Sequence, residues 1–341
     1  MPALKINPMS VMNIVKHCLR YLLPVAAGLS LTTCNPTAKP IENTVTFKAR
    51  LSEYGLFKSM NAGLVPQTGV QTMEIASPLF TDYAEKQRLL KLPDGKQVSL
   101  NGNGLPRFPD GTILAKTFYY SKTKTGKRQI TETRLLILER KKWSAATYRW
   151  NAEQTEAHLL KDGAVVPVSL LDNSGHVRRI EYRIPSQNDC SSCHRSGDEL
   201  RPIGPTARNL NVTVNAEGKS RSQLTYLMDR GLFAKSAIDA IHSLPDYQDT
   251  SVALPFRARA YLEMNCAHCH QPGGIAAGTS LNLSYPVRYK ETGIDFNKQN
   301  IIIRMNTMGE YHMPKIGTTI VDDEGVRLVK DYIHSLDSPT R

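Results

Sequence analysis

Cys190-Ser191-Ser192-Cys193-His194 is a five-residue segment whose pattern occurs a second time in the chain, as Cys266-Ala267-His268-Cys269-His270. Two thiols three positions apart, followed directly by a histidine, form the attachment signature of a c-type haem. Each thiol can form a thioether to one vinyl group of the same porphyrin, and the histidine becomes the proximal ligand of the iron. The repeated pattern therefore predicts two covalently attached haem c groups with His194 and His270 as axial ligands.

Other interpretations of paired cysteines are weaker for this chain. Two Cys-x-x-Cys pairs can build a structural zinc site, but such pairs usually lie closer in sequence than positions 193 and 266. A redox dithiol is expected in a βαβ context and gives the histidine no role. Surface disulfides are the simplest alternative in an exported protein. Two matches, each completed by a histidine, favour haem.

Residues 1–34 have the pattern of a secretory signal peptide. They contain three basic residues and no acidic residue, and the apolar stretch 21–31 is too short to span a bilayer. Cys34 follows this stretch and resembles the lipidated cysteine of bacterial lipoproteins, although Thr33 departs from the small residue usual before it. An ordinary signal peptide cut nearby is the alternative. Asn35 in place of aspartate favours the outer membrane, so we expect a lipid anchor on the periplasmic side of the envelope.

The charge balance points to protein partners and not to nucleic acid. The formal net charge is +12, and three of the 43 cations lie in the leader, which leaves 40 cations against 31 acidic residues. The haem propionates would offset part of this excess. No basic run with interleaved aromatic residues indicates nucleic-acid binding. A basic surface suits solubility and the docking of acidic redox partner proteins. The oligomeric state does not follow from the sequence.

The pattern along the chain predicts an α+β multidomain protein. We expect a tether at 35–50, an antiparallel β sandwich or barrel-like domain at 51–185, a first haem module at 186–250 and a second at 251–341, both modules being small and mainly helical. Segments rich in Val, Ile, Thr, Tyr and Leu, separated by turn residues, predict the strands. These strands are Thr112–Ser121, Arg128–Glu139, Ala145–Trp150, Ala164–Leu170 and Val177–Ile184.

The second module has a candidate for the sixth ligand. A helix is predicted at 251–264 before the motif, and an amphipathic helix opened by acidic residues 322–324 ends the chain. Met313-Pro314 lies between the motif and this terminal helix, where a class I cytochrome c places its distal methionine. Nearby competitors are Met305, Met308 and His312.

The first module leaves its sixth ligand open. Gly204-Pro205 after His194 matches the Gly-Pro of class I cytochromes, whose proline carbonyl accepts the Nδ1–H of the proximal histidine, so Pro205 is the expected acceptor. Met228 is the only methionine between His194 and the next module, and it could equally be a core residue. His242, on a helix expected at 237–243, and a vacant sixth position are the other possibilities.

Several segments resemble a family of exported bacterial dihaem c-type cytochromes of unassigned physiological role. The resemblance covers nearly all of the chain after the leader. It implies a β domain followed by two cytochrome c-like modules, and it implies no substrate. The matching segments are Arg257–His270, Ser77–Ala84, Phe108–Thr112, Glu132–Leu136 and Ile184–Ser186.

Three functions are compatible with the sequence. The leading hypothesis is an electron carrier of the cell envelope whose second haem has His/Met ligation and whose β domain docks partners or packs on the modules. The second is a dihaem redox enzyme, such as a peroxidase or oxidase, with an open or labile site at the first haem. The third is a lipoprotein that binds an envelope partner. Because no acid–base pair lies near the first motif in sequence, a carrier is favoured over an enzyme.

Overall fold

The computed structural model describes residues 41, 43–171 and 175–337. The predicted leader, the lipidation candidate Cys34 and the tether residues 35–40 and 42 lie outside the described residues. Within the described part, no helix has both the length and the apolar character needed to cross a bilayer. The described residues belong to one compact unit, with contacts that run across the predicted boundaries near residues 185 and 250.

A six-stranded antiparallel sheet in sequential order β1 to β6 forms the first half of the fold. The five predicted strands are confirmed as β3, β4, β5, β7 and β8, and β1, β2 and β6 were not predicted. The strands of the sheet are β1 (Val70–Thr72), β2 (Glu85–Lys91), β3 (Ile113–Tyr120), β4 (Gln129–Glu139), β5 (Lys142–Trp150) and β6 (Ala157–Leu160). A separate hairpin consists of β7 (Ala164–Leu171) and β8 (Val177–Ile184).

The six-stranded sheet is antiparallel, as expected, but it is open, which corrects the expected barrel. Side chains alternate between its two faces, and both faces carry buried apolar residues. Leu89 and Leu135 lie in a cluster covered by residues 45–64, which include a 3₁₀ helix (Leu51–Tyr54). Leu90 and Leu114, on the other face, pack against helical segments of residues 207–241. The β7–β8 hairpin also packs against β3, at Phe118 and Tyr120, so the sheet is buried on both faces without closing into a barrel.

Residues 43–50, expected as part of a tether, are fixed on the fold. Asn43 exchanges two hydrogen bonds with the backbone of Ala145, at 3.0 and 3.1 Å. The amide of Thr44 donates to Ser144 Oγ at 2.9 Å. Val45 and Phe47 pack against the apolar cluster beside the 3₁₀ helix. Their burial holds this segment along β5, which explains why it is not a free linker.

The first motif lies on a short helix with a defined start. Ser186 Oγ accepts a hydrogen bond from the Asp189 amide, and the Asp189 carboxylate accepts one from the Ser186 amide, which forms a capping box. No helix occurs at 237–243, where one was expected, and Pro245 restricts the preceding residue to extended backbone. The elements of this region are α1 (Gln187–His194), β9 (Arg195–Ser196), β10 (Glu199–Leu200), α2 (Ala207–Leu210), β11 (Thr213–Ala216), β12 (Lys219–Ser222) and α3 (Gln223–Asp229).

The C-terminal region is helical, as predicted. Helix α4 (Leu254–Leu262) continues through a π turn (Glu263–Ala267) into the second motif. It packs against the terminal helix α6 (Asp323–Asp337) at Gly325, where an added Cβ would lie 2.2 Å from the Tyr261 hydroxyl. Helix α5 (Ile294–Asn306), preceded by a 3₁₀ turn (Tyr289–Glu291), completes the cluster. The two predicted helices therefore cross as expected, and only glycine fits at the crossing.

Candidate functional site: two adjoining Cys-x-x-Cys-His motifs

The first motif lies at a cleft between α1 and the β sheet that is lined by apolar side chains and by three cations. Cys190 and His194 line this cleft, which has an empty volume of about 710 Å³ with its open side included. The opposite wall comes from β2, β3, β4 and β5, so the β region forms part of the site. This contact was not predictable from sequence, because the wall and the motif are far apart along the chain.

His194 is held in one tautomer by the backbone of Arg201. Its Nδ1 lies 2.7 Å from the Arg201 carbonyl oxygen, and the Arg201 amide donates to the His194 carbonyl at 2.8 Å. A carbonyl only accepts, so Nδ1 carries the proton and Nε2 keeps its lone pair. Burial lowers the pKa of His194 to about 3, which keeps the imidazole neutral at neutral pH. A neutral Nε2 is the form that ligates a metal.

The expected acceptor, Pro205, is replaced by Arg201. The tight hairpin of β9 and β10 pairs Leu200 with Arg195. The next residue, Arg201, therefore lies beside His194. Gly204 and Pro205 lie farther along and line the cleft. The Gly204 carbonyl instead accepts from Asn209 Nδ2 at 3.0 Å. Because of this hairpin, the acceptor for His194 comes four residues earlier in the chain than the predicted Pro205.

Met73 was not considered as a ligand from the sequence, yet it lines the first cleft together with His194. It follows β1 directly and is 3% exposed. Met228 lies on α3 in the same apolar cluster, but it is not among the residues that line the cleft. His242 is exposed, and its backbone amide donates to Asn103 Oδ1. No local pattern could have singled out Met73, because only the tertiary fold brings it near the motif.

The second motif holds its histidine in the same tautomer with a different acceptor. His270 Nδ1 lies 3.1 Å from Thr279 Oγ1, and that hydroxyl donates its own proton to the Ala276 carbonyl at 2.8 Å. Thr279 must therefore accept the Nδ1–H, which leaves the Nε2 lone pair available. Burial, followed by the charges of Arg304 and His268, lowers the pKa of His270.

Met313 lies on a loop fixed to the end of α5. Its amide donates to the Arg304 carbonyl at 2.9 Å, and Met313 lines a small cavity with an empty volume of about 270 Å³ together with Met305. The competitor His312 is 6% exposed and has both ring nitrogens engaged, Nδ1 with Thr307 O at 3.0 Å and Nε2 with Thr318 Oγ1 at 3.1 Å. His312 therefore stabilises the conformation of this loop through hydrogen bonds. Met308 is 44% exposed.

The structure brings the two motifs into direct contact. The Cys193 and Cys269 thiols lie near enough to interact, and this interaction raises the pKa of Cys193 and lowers that of Cys269. The loops after the motifs also meet, since the Gly197 amide donates to the Gly273 carbonyl at 2.8 Å. All four motif thiols are free. Within the described residues, no three His, Cys, Asp or Glu side chains are grouped to hold a metal ion.

These donor sets fit a c-type haem at both motifs. Each motif offers two free thiols and a neutral imidazole, and in the described part of the chain neither Nε2 has a hydrogen-bond partner. The first cleft also contains a buried polar atom without a partner, Arg88 Nε. Cys190 and Cys193, or Cys266 and Cys269, would hold the porphyrin covalently, and His194 or His270 would ligate its iron.

The comparisons agree with this chemistry for the second motif. Residues 258–337 match the cytochrome c family model. This cytochrome c domain contains the last part of α4, the second motif, Met313 and α6. It implies covalently bound haem c and supports a haem-based electron-transfer role. The first motif lies outside the matched residues. No curated protein and no solved structure matches the chain.

Proposed function

We propose that the chain is a dihaem c-type cytochrome that relays electrons between two adjoining haem sites in the bacterial cell envelope. The observation that carries this proposal is the contact between the motifs. The Gly197 amide donates to the Gly273 carbonyl at 2.8 Å, and the Cys193 and Cys269 thiols interact, so the two attachment points lie side by side. Two sites that function separately would need no such contact.

The side chains of the two sites support rapid transfer with little rearrangement. Haem c supplies a one-electron iron couple when it is bound. His194 and His270 are each fixed by an Nδ1 hydrogen bond, so the orientation of both rings is set before a cofactor binds. Buried apolar residues surround both motifs and limit the access of water. A rigid, partly dry site keeps the structural change between oxidation states small.

A thioether completes the coordination at each site in this proposal. Met313 at the second site is supported by its position in the cytochrome c domain and by its fixed loop. Met73 at the first site is supported by its place in the cleft that His194 lines, and it replaces the sequence-based candidate Met228. Methionine opposite histidine favours the reduced iron and raises the potential.

The envelope location rests on the predicted leader and on the chemistry of haem attachment. Haem is attached to c-type cytochromes outside the cytoplasm, so residues 1–34 fit an export signal. A lipid on Cys34 would anchor the protein to the outer membrane on the periplasmic side. The cationic excess of the chain suits acidic redox partner proteins.

An enzyme with an open first site is the alternative, and the fold favours the carrier. The first cleft contains a methionine that can fill the sixth position. The β sheet is one wall of this cleft, which gives the β region a role within the haem site and removes the need for a separate docking function. A spectrum of the oxidised protein separates the two functions: a high-spin component that binds cyanide or azide supports an enzyme, and two low-spin haems support the carrier.

The decisive test uses three versions of the exported protein: wild type, Cys190→Ala/Cys193→Ala and Cys266→Ala/Cys269→Ala. Intact-mass and haemochrome measurements should give two haems for the wild type and one for each variant. Circular dichroism in the Soret region should show a split band in the wild type, because adjoining haems couple, and single bands in the variants. One haem in the wild type, or a wild-type spectrum equal to the sum of the variants, contradicts the proposal.

A further inference from the structure

Three cations form a row on the wall of the first cleft. Arg88 on β2 lies opposite Lys116 on β3, and Lys116 lies opposite Arg134 on β4. All three line the cleft with Cys190 and His194. Directly opposed side chains of neighbouring strands have Cβ atoms about 4.5–5.5 Å apart, and like charges there destabilise a sheet. This row is therefore unfavourable unless an anion offsets it.

Only one of the three charges is matched by the protein. Glu132 is fully buried and accepts two hydrogen bonds from Arg134, at 2.6 and 2.9 Å, and one from Tyr182 at 2.6 Å. Arg88 and Lys116 have no ion pair with any residue that the structure describes. Glu74 acts on Arg88 only at longer range. Two unmatched cations thus remain in the cleft.

The surroundings of the row show that its charges are desolvated. Arg88 Nε is buried without a hydrogen-bond partner. Burial, followed by the charges of Arg88 and Arg134, lowers the pKa of Lys116 to about 7. The buried ring of Phe118 offers partial compensation, with the Arg134 guanidinium 4.3 Å and Lys116 Nζ 5.9 Å from its centroid. Lys86 Nζ lies 6.0 Å from the same ring, and burial lowers the pKa of Lys86 well below its usual value.

We propose that Arg88 and Lys116 bind the propionate carboxylates of the haem attached at the first motif. This inference rests on the proposed function, because it requires a haem at Cys190 and Cys193. The two unmatched cations correspond in number to the two carboxylates of one haem. They lie in the cleft that contains the thiol and the imidazole which would hold that haem, and hydrogen bonds between charged groups are the strong ones.

The same row is poorly placed to dock a partner protein. Arg88, Lys116 and Arg134 are each half-buried and lie on the inner wall of a cleft. A protein surface would have to enter the cleft to reach them, whereas a haem held by the motif would already fill it. The exposed cations of the chain, such as Lys142 on β5, are the ones that a partner can reach.

The test compares Arg88→Met and Lys116→Met with the control Lys142→Met, which removes an exposed cation from the same sheet. Arg134 is not replaced, because its loss would leave the buried carboxylate of Glu132 without an ion-pair partner. Each cleft variant should lower the potential of one haem in a redox titration, since a cation near the carboxylates disfavours the oxidised iron. Resonance Raman bands of the propionate bending modes should shift in the same variants. The control should change neither.

Charge-retaining variants distinguish the loss of a positive charge from a change in the packing of the cleft. Arg88→Lys and Lys116→Arg should keep the potential close to the wild-type value while the Raman bands shift. If both Met variants hold two haems and have the potentials and Raman bands of the wild type, this inference is wrong. The dihaem proposal is then unaffected. Loss of binding to an acidic partner with both potentials unchanged assigns the row to docking and also overturns it. A wild-type protein with a single haem overturns the dihaem proposal instead.

Discussion

The two proximal histidines differ in the group that accepts their Nδ1–H. His194 donates to a carbonyl at 2.7 Å, and His270 donates to a hydroxyl at 3.1 Å. A shorter bond to a stronger acceptor places more electron density on the ring and makes it a better donor to iron. We therefore expect the first site to have the lower potential of the two, so that electrons move from the first site to the second.

Met313 provides the most direct test of ligation at the second site. Replacing it with alanine removes the soft thioether, so Met313→Ala should lower the potential of one haem by on the order of 0.1 V, within the roughly 0.8 V range that axial ligands cover. The other haem should keep its potential. Met308→Ala, at a residue 44% exposed, is the control and should change neither value. If a redox titration of Met313→Ala matches the wild type, the ligand lies elsewhere.

Met73 and Met228 form a matched pair at the first site, since both are buried in one apolar cluster. Met73→Ala should lower the potential of the first haem or give its oxidised form a high-spin band. Met228→Ala should leave both spectra unchanged and reduce the free energy of unfolding by about 2–4 kcal/mol, as expected for a buried methionine that only packs. The reverse pattern in redox and denaturation measurements would restore Met228 as the ligand.

The helix crossing of the cytochrome c domain depends on one glycine. In Gly325→Ala the added Cβ would lie 2.2 Å from Tyr261 Oη and 2.3 Å from Cζ, so α4 and α6 must move apart. Overpacking of this kind costs about 1–3 kcal/mol, and we expect a loss of about 2 kcal/mol in guanidinium denaturation together with weaker Soret absorbance. Gly278→Ala, where nothing lies within 4 Å of the added Cβ, should stay within about 0.5 kcal/mol of the wild type. Equal stability of both variants would refute the crossing.

The elements that were predicted from sequence and those that were not differ in what their side chains face. β4 is rich in Ile, Leu and Thr and contains the apolar run 135–138 on a sheet buried on both faces, so its composition was recognisable as that of a strand. β2 contains the cations Lys86 and Arg88, and Arg88 lines the cleft. Its sequence Glu85–Lys91 therefore resembles an exposed charged loop. A strand that lines a polar site loses the apolar alternation by which strands are recognised. The motif residues were predictable because their chemistry is local, whereas Met73 and the cation row depend on distant contacts.

On the scale of the whole molecule, the segment 77–83 connects the β region to the chain between the two motifs and to the second motif. Ser77 exchanges hydrogen bonds with the side chain of Asn209 at 2.9 and 3.2 Å, and the Phe80 amide donates to Asn265, the residue before Cys266, at 2.8 Å. Asn209 also contacts Met264 Sδ at 3.4 Å. This segment lies within one of those that carry the family resemblance. Its contacts connect the β region to the second motif, so the two can act as one unit.

Asp82 connects the same segment to residues 319 and 320 through several hydrogen bonds. Its replacement should allow the haem sites to unfold before the β sheet. Its carboxylate, 1% exposed, accepts hydrogen bonds from the Thr319 amide at 2.8 and 3.0 Å, the Thr319 hydroxyl at 2.7 Å and the Ile320 amide at 3.3 Å. Asp82→Ala leaves these donors without a partner, so we expect the free energy of unfolding to fall by about 3 kcal/mol. Asp82→Asn keeps one acceptor oxygen and should lose less. Asp162→Ala, in an exposed turn, should change it by at most about 0.5 kcal/mol.

Urea denaturation followed with two probes tests whether Asp82 couples the regions or only adds stability. Trp143 and Trp150 report on the β sheet, and Soret absorbance reports on the haem sites. In the wild type the two transitions should coincide, as they do for a single cooperative unit. In Asp82→Ala the Soret transition should move to lower urea first, because the loop at 319–320 continues into α6 and its crossing with α4. Coincident transitions in the variant would show that other contacts of the 77–83 segment are sufficient to keep the molecule together.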